Sequence, residues 1–518
     1  MRKFILLFII LVAAGSSNAQ KLHFNVKGLS DTTIFLAKYL GPKLYYADTV
    51  QSKNGSLEFD GSKHPRGLYA VVIPGVKYFE FVHDNEDVDM TVGNVNDMVG
   101  SMKVDKSKNN KSFYEYILFM TDMKKKSQKL NEEYAKLSGD AKDKKLEEIR
   151  AVGKEIMSGQ MDIYKANKGL FIGTMVRMSM DVDLPEPPKD KDGNITDSNY
   201  VYNYYIEHFW DDIPLKDDAI VRTPVYHNKL DKFFSQQGLI QIPDTITKYA
   251  KKLVDQMDYG NEENQVFQYT VHHITQKYES SKIMGMDRVF VFMADNWYCG
   301  DNNHAWWMSE ENSKKLCERA DKIRNTMIGE YSPMLILPDS TEENWINSYK
   351  VEADYTVLYF WDPNCGHCKK TTPKLQVLYD KKFKERNIEI FSVGKATGSD
   401  FEDWKKYIKE NELTFINVGL TQSVYNQAME DPRPLLQKTT LQSLNYTDTY
   451  DIYSTPRIFI LDKDKKIKFK QLSIGQLEEI LDDLTGHHDD VKLYPKEDPE
   501  NGATDPDDDH GDHDGHNH

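Results

Sequence analysis

The feature that most constrains this chain is a pair of cysteines, Cys365 and Cys368, in the segment WDPNCGHC. The apolar run 355–360 before them has the length and composition of a buried strand. Leucines recur at helical spacing after them, so the cysteines lie where a strand leads into a helix. The first turn of a helix offers unpaired N–H groups and a partial positive charge, which favour the thiolate form of Cys365.

This arrangement suits thiol–disulfide exchange, in which a thiolate attacks a disulfide and forms a mixed disulfide. Cys365, at the exposed start of the helix, is predicted to attack the disulfide of a partner protein. Cys368 lies one turn deeper and is predicted to resolve the mixed disulfide. His367 would stabilise the thiolate when charged, or it is an incidental surface residue. The alternative for the cysteine pair is a structural disulfide or an inactive site.

Three further features give residues 331–486 a resemblance to the thioredoxin family. Pro373 lies five residues beyond the second cysteine, where thioredoxin-like helices carry a kinking proline. Thr455-Pro456 precedes a strand-like segment, 457–462, as the cis-proline loop of the family precedes its last pair of strands. The predicted order of strands and helices agrees as well.

The resemblance implies the roles of the site residues. The implied catalytic residues are Cys365, Cys368 and Pro456, and the supporting ones are Trp361, Gly366, His367 and Thr455. Pro456, if its peptide bond is cis, would lie against the sulfurs and align the partner's backbone; otherwise it is an ordinary turn proline. Trp361 would cover one side of the site or belong to the core. The Cys-Gly-His-Cys sequence resembles the centre of protein disulfide isomerases.

Two positions depart from the pattern of these relatives. Tyr359 stands where many thioredoxins have a buried Asp, and Thr371 stands where relatives in cytochrome maturation often have a Glu. Those acids help to move the proton of the deeper thiol. Their absence argues against a fast thioredoxin-like reductase and against a direct role in cytochrome maturation, and the sequence names no substitute.

The layout of the whole chain resembles the envelope thioredoxins of Bacteroidota. Its 518 residues predict about three domains. Residues 20–105 show short alternating runs and a hairpin signal, which predict a small β-sandwich. Residues 106–330 show apolar stripes at helical spacing and resemble the helical domain of unknown function in such proteins. The predicted fold class is multidomain α+β, with a β-sandwich-like domain, a central helical domain and a C-terminal α/β thioredoxin fold at 331–486.

The N-terminus predicts secretion. Residues 1–19 have the basic start, short apolar run and small residues of a cleavable signal peptide. The apolar run is too short to span a bilayer, and no later segment has the length and apolarity for it. We therefore expect the mature protein in the periplasm or cell envelope, where disulfides persist.

Negative charge is concentrated at the C-terminus. The formal net charge is −16, and more than half of it comes from residues 489–518. The body of the chain carries no charge pattern that indicates nucleic-acid binding. The Asp- and His-rich segment 487–518 is predicted to be disordered, and it either binds divalent metals weakly or is only a solvated tail.

Cys299 and Cys317 are the other two cysteines, and two interpretations stay open for them. They form a structural disulfide, or they are separate buried thiols. One short cysteine spacing is too little for a structural zinc site, so no resident metal or other cofactor is predicted.

The leading hypothesis is a secreted thiol–disulfide oxidoreductase that exchanges disulfides with protein substrates, with a membrane electron donor as a further candidate partner. The alternative hypothesis is a partner-binding scaffold whose thioredoxin fold is a redox-sensitive platform. The residues leave reductase, oxidase and isomerase activities open, together with the substrate and the oligomeric state.

Overall fold

The computed structural model describes residues 20–75, 77–258 and 263–497. These residues form two compact units. The N-terminal unit runs to Gln241 and includes Lys248–Val271, and the C-terminal unit contains Ile242–Thr247 and the chain from His272 onward. The predicted signal peptide lies outside the described residues.

The N-terminal unit begins with two four-stranded sheets. The strands are β1 (Lys21–Val26), β2 (Thr33–Leu40), β3 (Lys43–Gln51), β4 (Ser56–Asp60), β5 (Gly67–Val72), β6 (Tyr78–His83), β7 (Val88–Val92) and β8 (Met102–Lys106). The sheets have the orders β4-β1-β7-β8 and β3-β2-β5-β6. Alternate residues of β1 are buried, and the ring of Phe24 lies 4.8 Å from that of Phe81 on β6. The predicted sandwich is therefore present, with aromatic side chains between its sheets.

Helices follow the sheets. They are α1 (Lys108–Tyr134), α2 (Gly139–Ala166), α3 (Phe171–Ser179), α4 (Tyr200–His208), α5 (Pro224–Phe233), α6 (Pro243–Val254), α7 (Gln265–Glu279), α8 (Asp287–Trp297) and α9 (Glu310–Arg324). The side chain of Asn110, at the start of α1, exchanges two hydrogen bonds with the backbone of Val82 on β6, at 2.7 and 2.8 Å. Within the N-terminal unit, this buried amide joins the first helix to the sandwich.

The C-terminal unit contains a five-stranded sheet with helices on both faces. Its elements are β9 (Ile336–Pro338), β10 (Trp345–Asn347), β11 (Tyr355–Trp361), α10 (Gly366–Leu378), β12 (Ile388–Gly394), α11 (Asp400–Glu410), β13 (Ile416–Gly419), α12 (Gln422–Glu430), α13 (Leu441–Leu444), α14 (Tyr446–Thr449), β14 (Arg457–Asp462), β15 (Ile467–Lys470) and α15 (Ile474–Leu484). The strand order is β13-β12-β11-β14-β15, and β9 pairs with β10 separately. Buried clusters cover both faces, which explains why β11 is apolar at every position except Thr356.

The last helices of the predicted helical domain belong to the C-terminal unit. Lys470 on β15 forms an ion pair with Asp287 at the start of α8, and its ammonium donates to the carbonyl of Thr326 at 2.9 Å. A disulfide between Cys299 and Cys317 joins the end of α8 to α9. The structure thus selects the bridged alternative for these cysteines. The two compact units divide before these helices, and the contacts of Lys470 with Asp287 and Thr326 agree with this division.

The segment after α15 corrects the predicted start of the disordered tail. Glu478 on α15 is fully buried, and its carboxylate accepts the backbone N–H groups of Leu493 and Tyr494 at 2.8 and 2.7 Å. Both of these side chains pack against the core cluster of the unit. A Cβ on Gly475 would lie 2.8 Å from the Cα of Lys496, so glycine permits this close approach. Residues 491–496 are therefore part of the fold, and the rest of the predicted tail, from 498, lies outside the described residues.

Two truncations test this assignment. Ending the chain at Gly486 removes the apolar contacts of Leu493 and Tyr494 and leaves the Glu478 carboxylate without two of its donors. We expect a loss of about 2 kcal/mol or more in the free energy of unfolding. Ending the chain at Glu497 should leave thermal stability unchanged, and equal stability for both truncations would contradict the docking of 491–496.

The described helices carry no candidate for a membrane span. Among residues 20–75, 77–258 and 263–497, none combines the length and the apolar character that crossing a bilayer requires.

Candidate active site

Cys365 and Cys368 lie between the end of β11 and the first turn of α10. Cys365 is the N-cap of α10, and its sulfur accepts the backbone N–H of Cys368 at 3.5 Å. Cys365 is half-buried, whereas Cys368 is 1% exposed, and both are free cysteines. The helix start therefore presents one thiol to solvent and holds the other behind it.

A segment ninety residues further along the chain completes the surroundings of Cys365. Its thiol donates to the carbonyl oxygen of Thr455 at 3.2 Å. The peptide bond between Thr455 and Pro456 is cis, which is the conformation that the resemblance required of Pro456. This contact arises because β14, which begins directly after Pro456, pairs antiparallel with β11.

Burial controls the chemistry of Cys368. Removal of the thiol from water raises its pKa to about 12. The backbone N–H of Asp362 points at the same sulfur, at 3.5 Å, and opposes this effect by favouring the thiolate. Because the folded pKa is raised, the unfolded chain loses this proton first, and the contribution of Cys368 to stability falls as pH rises above about 9.

Alkylation of the reduced protein tests this difference between the thiols. At pH 8, iodoacetamide should modify Cys365 readily and Cys368 at least about a hundredfold more slowly, because Cys368 is buried and protonated. Peptide mass mapping over time gives both rates. In denaturant the two cysteines should react alike, and equal rates in the native protein would contradict the geometry.

Trp361 and Tyr359 belong to the core beneath the site. Trp361 is buried, and its indole N–H donates to the hydroxyl of Ser392 at 2.7 Å. Trp361 packs in the core cluster that also contains Cys368. Tyr359 is fully buried, its pKa is raised well above the ordinary value by burial, and its hydroxyl lies 2.7 Å from that of Thr372. Thr372 in turn donates to the carbonyl of Cys368 at 2.8 Å.

The two residues between the cysteines are exposed. Gly366 and His367 occupy the first turn of α10 and face solvent. His367 has no side-chain hydrogen bond to any residue in the described ranges. Its position leaves it free to approach a partner at Cys365.

A group of charged side chains lies beside the two cysteines and was not predicted from the sequence. Lys395, just after β12, lies 3.1 Å from the Asp362 carboxylate and 3.0 Å from that of Asp400. Asn364 donates to Asp400 and Asp403 at 2.9 and 3.1 Å. The position of Lys395 directly after a predicted parallel strand could have indicated this, because the carboxyl ends of β11 and β12 meet at one edge of the sheet. These contacts fix the loop that carries Cys365.

Within 20–75, 77–258 and 263–497, no group of three or more His, Cys, Asp or Glu side chains is arranged to hold a metal ion.

A strand that ends at a CxxC helix start, with a cis-proline loop against it, defines a thioredoxin-like domain. Residues 353–467 match the family model described as thioredoxin-like. Residues 154–326 match the model of a domain of unknown function, DUF5106. The chain thus carries a thioredoxin-like domain preceded by a DUF5106 domain, which confirms the resemblance inferred from the sequence.

Several solved structures are similar to parts of this chain. A domain of a possible thiol-disulfide isomerase from Cytophaga hutchinsonii is 29% identical over 32% of this chain and 94% of its own, with a TM-score of 0.24. The thioredoxin domain of a thiol-disulfide oxidoreductase from Bacteroides vulgatus is 24% identical. The match covers 30% of this chain and 97% of that structure, with a TM-score of 0.25. A thioredoxin-like protein from Bacteroides caccae is 15% identical. The match covers 59% of this chain and 98% of that structure, with a TM-score of 0.40. No curated protein matches the chain.

Proposed function

We propose that this protein is a thiol–disulfide oxidoreductase that exchanges disulfides with protein substrates outside the cytoplasm. The observation that carries the proposal is the pairing of a half-exposed N-cap thiol, Cys365, with a buried thiol one turn further into α10. The Thr455 carbonyl at the Cys365 sulfur and the match to the thioredoxin-like model support it.

The reaction follows from the positions of the two sulfurs. The Cys365 thiolate attacks one sulfur of the partner's disulfide, a mixed disulfide forms, and the partner's other sulfur leaves as a thiolate. Cys368, after loss of its proton, attacks the Cys365 sulfur and releases the second partner thiolate. The partner gains two electrons, and a Cys365–Cys368 disulfide forms. In reverse, the same steps oxidise a partner dithiol.

Turnover as a reductase requires an electron donor, for which a membrane thiol–disulfide protein is the proposed class. The basic and apolar start of the sequence, residues 1–19, supports action in the periplasm or cell envelope. A histidine between the two cysteines favours the reduced form of the pair, so the proposed reduction potential lies above that of thioredoxin, between about −270 and −120 mV.

A redox titration tests the proposal. The protein is equilibrated in mixtures of reduced and oxidised glutathione, quenched with acid and mapped by mass spectrometry. The peptide with Cys365 and Cys368 should gain and lose one disulfide reversibly, while Cys299–Cys317 remains bonded. A pair that stays reduced or stays oxidised across the whole glutathione range would count against exchange and favour the scaffold hypothesis.

A further inference from the structure

The docked segment after α15 runs back along the domain towards the exchange site. The ammonium of Lys382, beyond the end of α10, donates to the carbonyl of Val491 at 3.2 Å. Three residues later, the ring centroid of Tyr494 lies 5.6 Å from the ammonium of Lys374, which is about two turns nearer the start of α10. As the chain proceeds, its neighbours on α10 shift towards Cys365, so the segment leads in that direction.

The contacts with α15 give the same direction. The Glu478 carboxylate binds two backbone N–H groups of the segment, and Lys496 lies against Gly475, in the first turn of α15. Helix α15 starts at the edge of the sheet that carries the site, because β15 runs antiparallel to β14 and β14 runs antiparallel to β11. Glu497, which follows Lys496, therefore lies at the site end of the domain.

A stripe of basic side chains continues this path to Cys365. His367, Lys370 and Lys374 are spaced i, i+3 and i+7, so they share one face of α10. His367 and Lys370 are exposed, and Lys374 is half-exposed. Among the described residues, no carboxylate forms an ion pair with His367 or Lys370. This face, which we call the basic stripe, offers charge that the described part of the domain does not neutralise.

Residues 498–518, the acidic tail, carry the opposite charge. They contain eight Asp or Glu residues and no Lys or Arg. Along α10, Lys374 lies about 14 Å from Cys365, and 21 residues at up to about 3.3 Å each span about five times that distance. Carboxylates are also stabilised near the first turn of a helix, which carries a partial positive charge. The starting point, length and charge of the tail therefore all suit the basic stripe.

We propose that the acidic tail binds the basic stripe of its own chain and restrains the approach of acidic partners to Cys365. The contact is inferred from the path of the docked segment and from the charges, whereas the restraint rests on the proposed function and adds its regulation. Carboxylates held on the stripe repel a partner whose disulfide is flanked by acidic residues. An uncharged disulfide is affected little.

Zero-length cross-linking with a carbodiimide, which joins a carboxylate to an amine, tests the contact in the full chain. Peptide mass mapping should find the tail on Lys370 at least about tenfold more often than on Lys463, because a tethered segment has a high local concentration. Lys463 is the matched control, since it is exposed and follows β14 at the opposite edge of the sheet. Raising the salt from about 0.01 to about 1 M should abolish the cross-links, because the screening length falls from about 30 to about 3 Å.

Cross-links within one chain support the contact. Absence of cross-links, or equal yields on Lys370 and Lys463, would overturn it. Cross-links that form only between two chains would assign the stripe to a second copy and would overturn it as well.

Exchange rates test the restraint. With a peptide whose disulfide is flanked by Glu, the chain ending at Glu497 should react about fivefold faster than the full chain at about 0.01 M salt, and equally fast at about 1 M. Lys370→Gln in both chains should bring this ratio towards one, and Lys463→Gln should leave it unchanged.

Equal rate constants for the two chains at low salt, or a ratio that Lys370→Gln leaves unchanged, would overturn the restraint and leave exchange intact. Hydroxyethyl disulfide, which is uncharged, reports exchange alone. If neither chain reacts with the peptide or with this probe, the proposed function fails, and the cross-links still decide the contact.

Discussion

Replacing Cys368 with Ser is expected to turn transient contacts with partners into stable mixed disulfides at Cys365. In the wild-type protein Cys368 lies within the same helical turn as the bond to be broken, with its backbone N–H 3.5 Å from the Cys365 sulfur. An intramolecular attack in such a geometry has an effective concentration far above that of free thiols. The lifetime of the mixed disulfide should increase at least about a thousandfold.

The adducts would appear on non-reducing gels as species of higher mass that vanish with reductant. Mass mapping should place the partner on Cys365. Cys317→Ser breaks only the bridge between α8 and α9, so it serves as the matched control and should yield no adducts at Cys365. Adducts that form equally with Cys365→Ser would contradict the assigned roles.

Replacing Lys382 with Met is expected to produce a large loss of stability in the C-terminal unit. The ammonium of Lys382 is 8% exposed and lies against the fully buried carboxylates of Glu478 and Asp482, the second at 2.9 Å. It also donates to the carbonyl of Val491 at 3.2 Å. Removal of the ammonium takes a positive charge away from two buried carboxylates. We expect this to lower the free energy of unfolding by about 3 to 5 kcal/mol.

The matched control for this change is Lys384→Met, two residues away. Lys384 pairs with Asp380 at the surface, and such exposed pairs contribute about 0 to 1 kcal/mol. Differential scanning calorimetry should show the transition of the C-terminal unit lowered by roughly 10 °C in the first variant and little changed in the second. Similar shifts in the two variants would show that the buried network contributes no more than a surface pair.

Much of the C-terminal domain was predictable because local patterns decide it. The almost entirely apolar run at 355–361, rich in aromatic and β-branched residues, favours a strand that is buried on both faces, and the structure has β11 there. Thr455-Pro456 was placed correctly because the sequence around it resembles the loop of a known family. Strand β13 gives a much weaker signal, because it has only four residues and a run that short does not establish a period. Strand β3 also gives a weak signal, because it is an edge strand whose residues are all exposed or half-exposed.

The features that the sequence did not reveal depend on contacts between distant residues. Leu493 and Tyr494 look like isolated apolar residues in an acidic segment, and only Glu478, on another element, shows that they are docked. A cleft lined by Asp362, Tyr425 and Thr455 is likewise assembled from segments that are far apart in the chain. The sequence shows that Tyr359 replaces the Asp of many thioredoxins. Only the structure shows that its hydroxyl is linked through Thr372 to the backbone carbonyl of Cys368.

The most direct test of the central claim is exchange with a reporter protein that carries one disulfide. Reduction of the reporter, with dithiothreitol as electron donor, is followed for the wild-type protein and for Cys365→Ser. The account predicts catalysis by the wild-type protein and only the uncatalysed rate for Cys365→Ser. A Cys365→Ser protein that retains the wild-type rate would contradict the assignment of Cys365 as the attacking thiol.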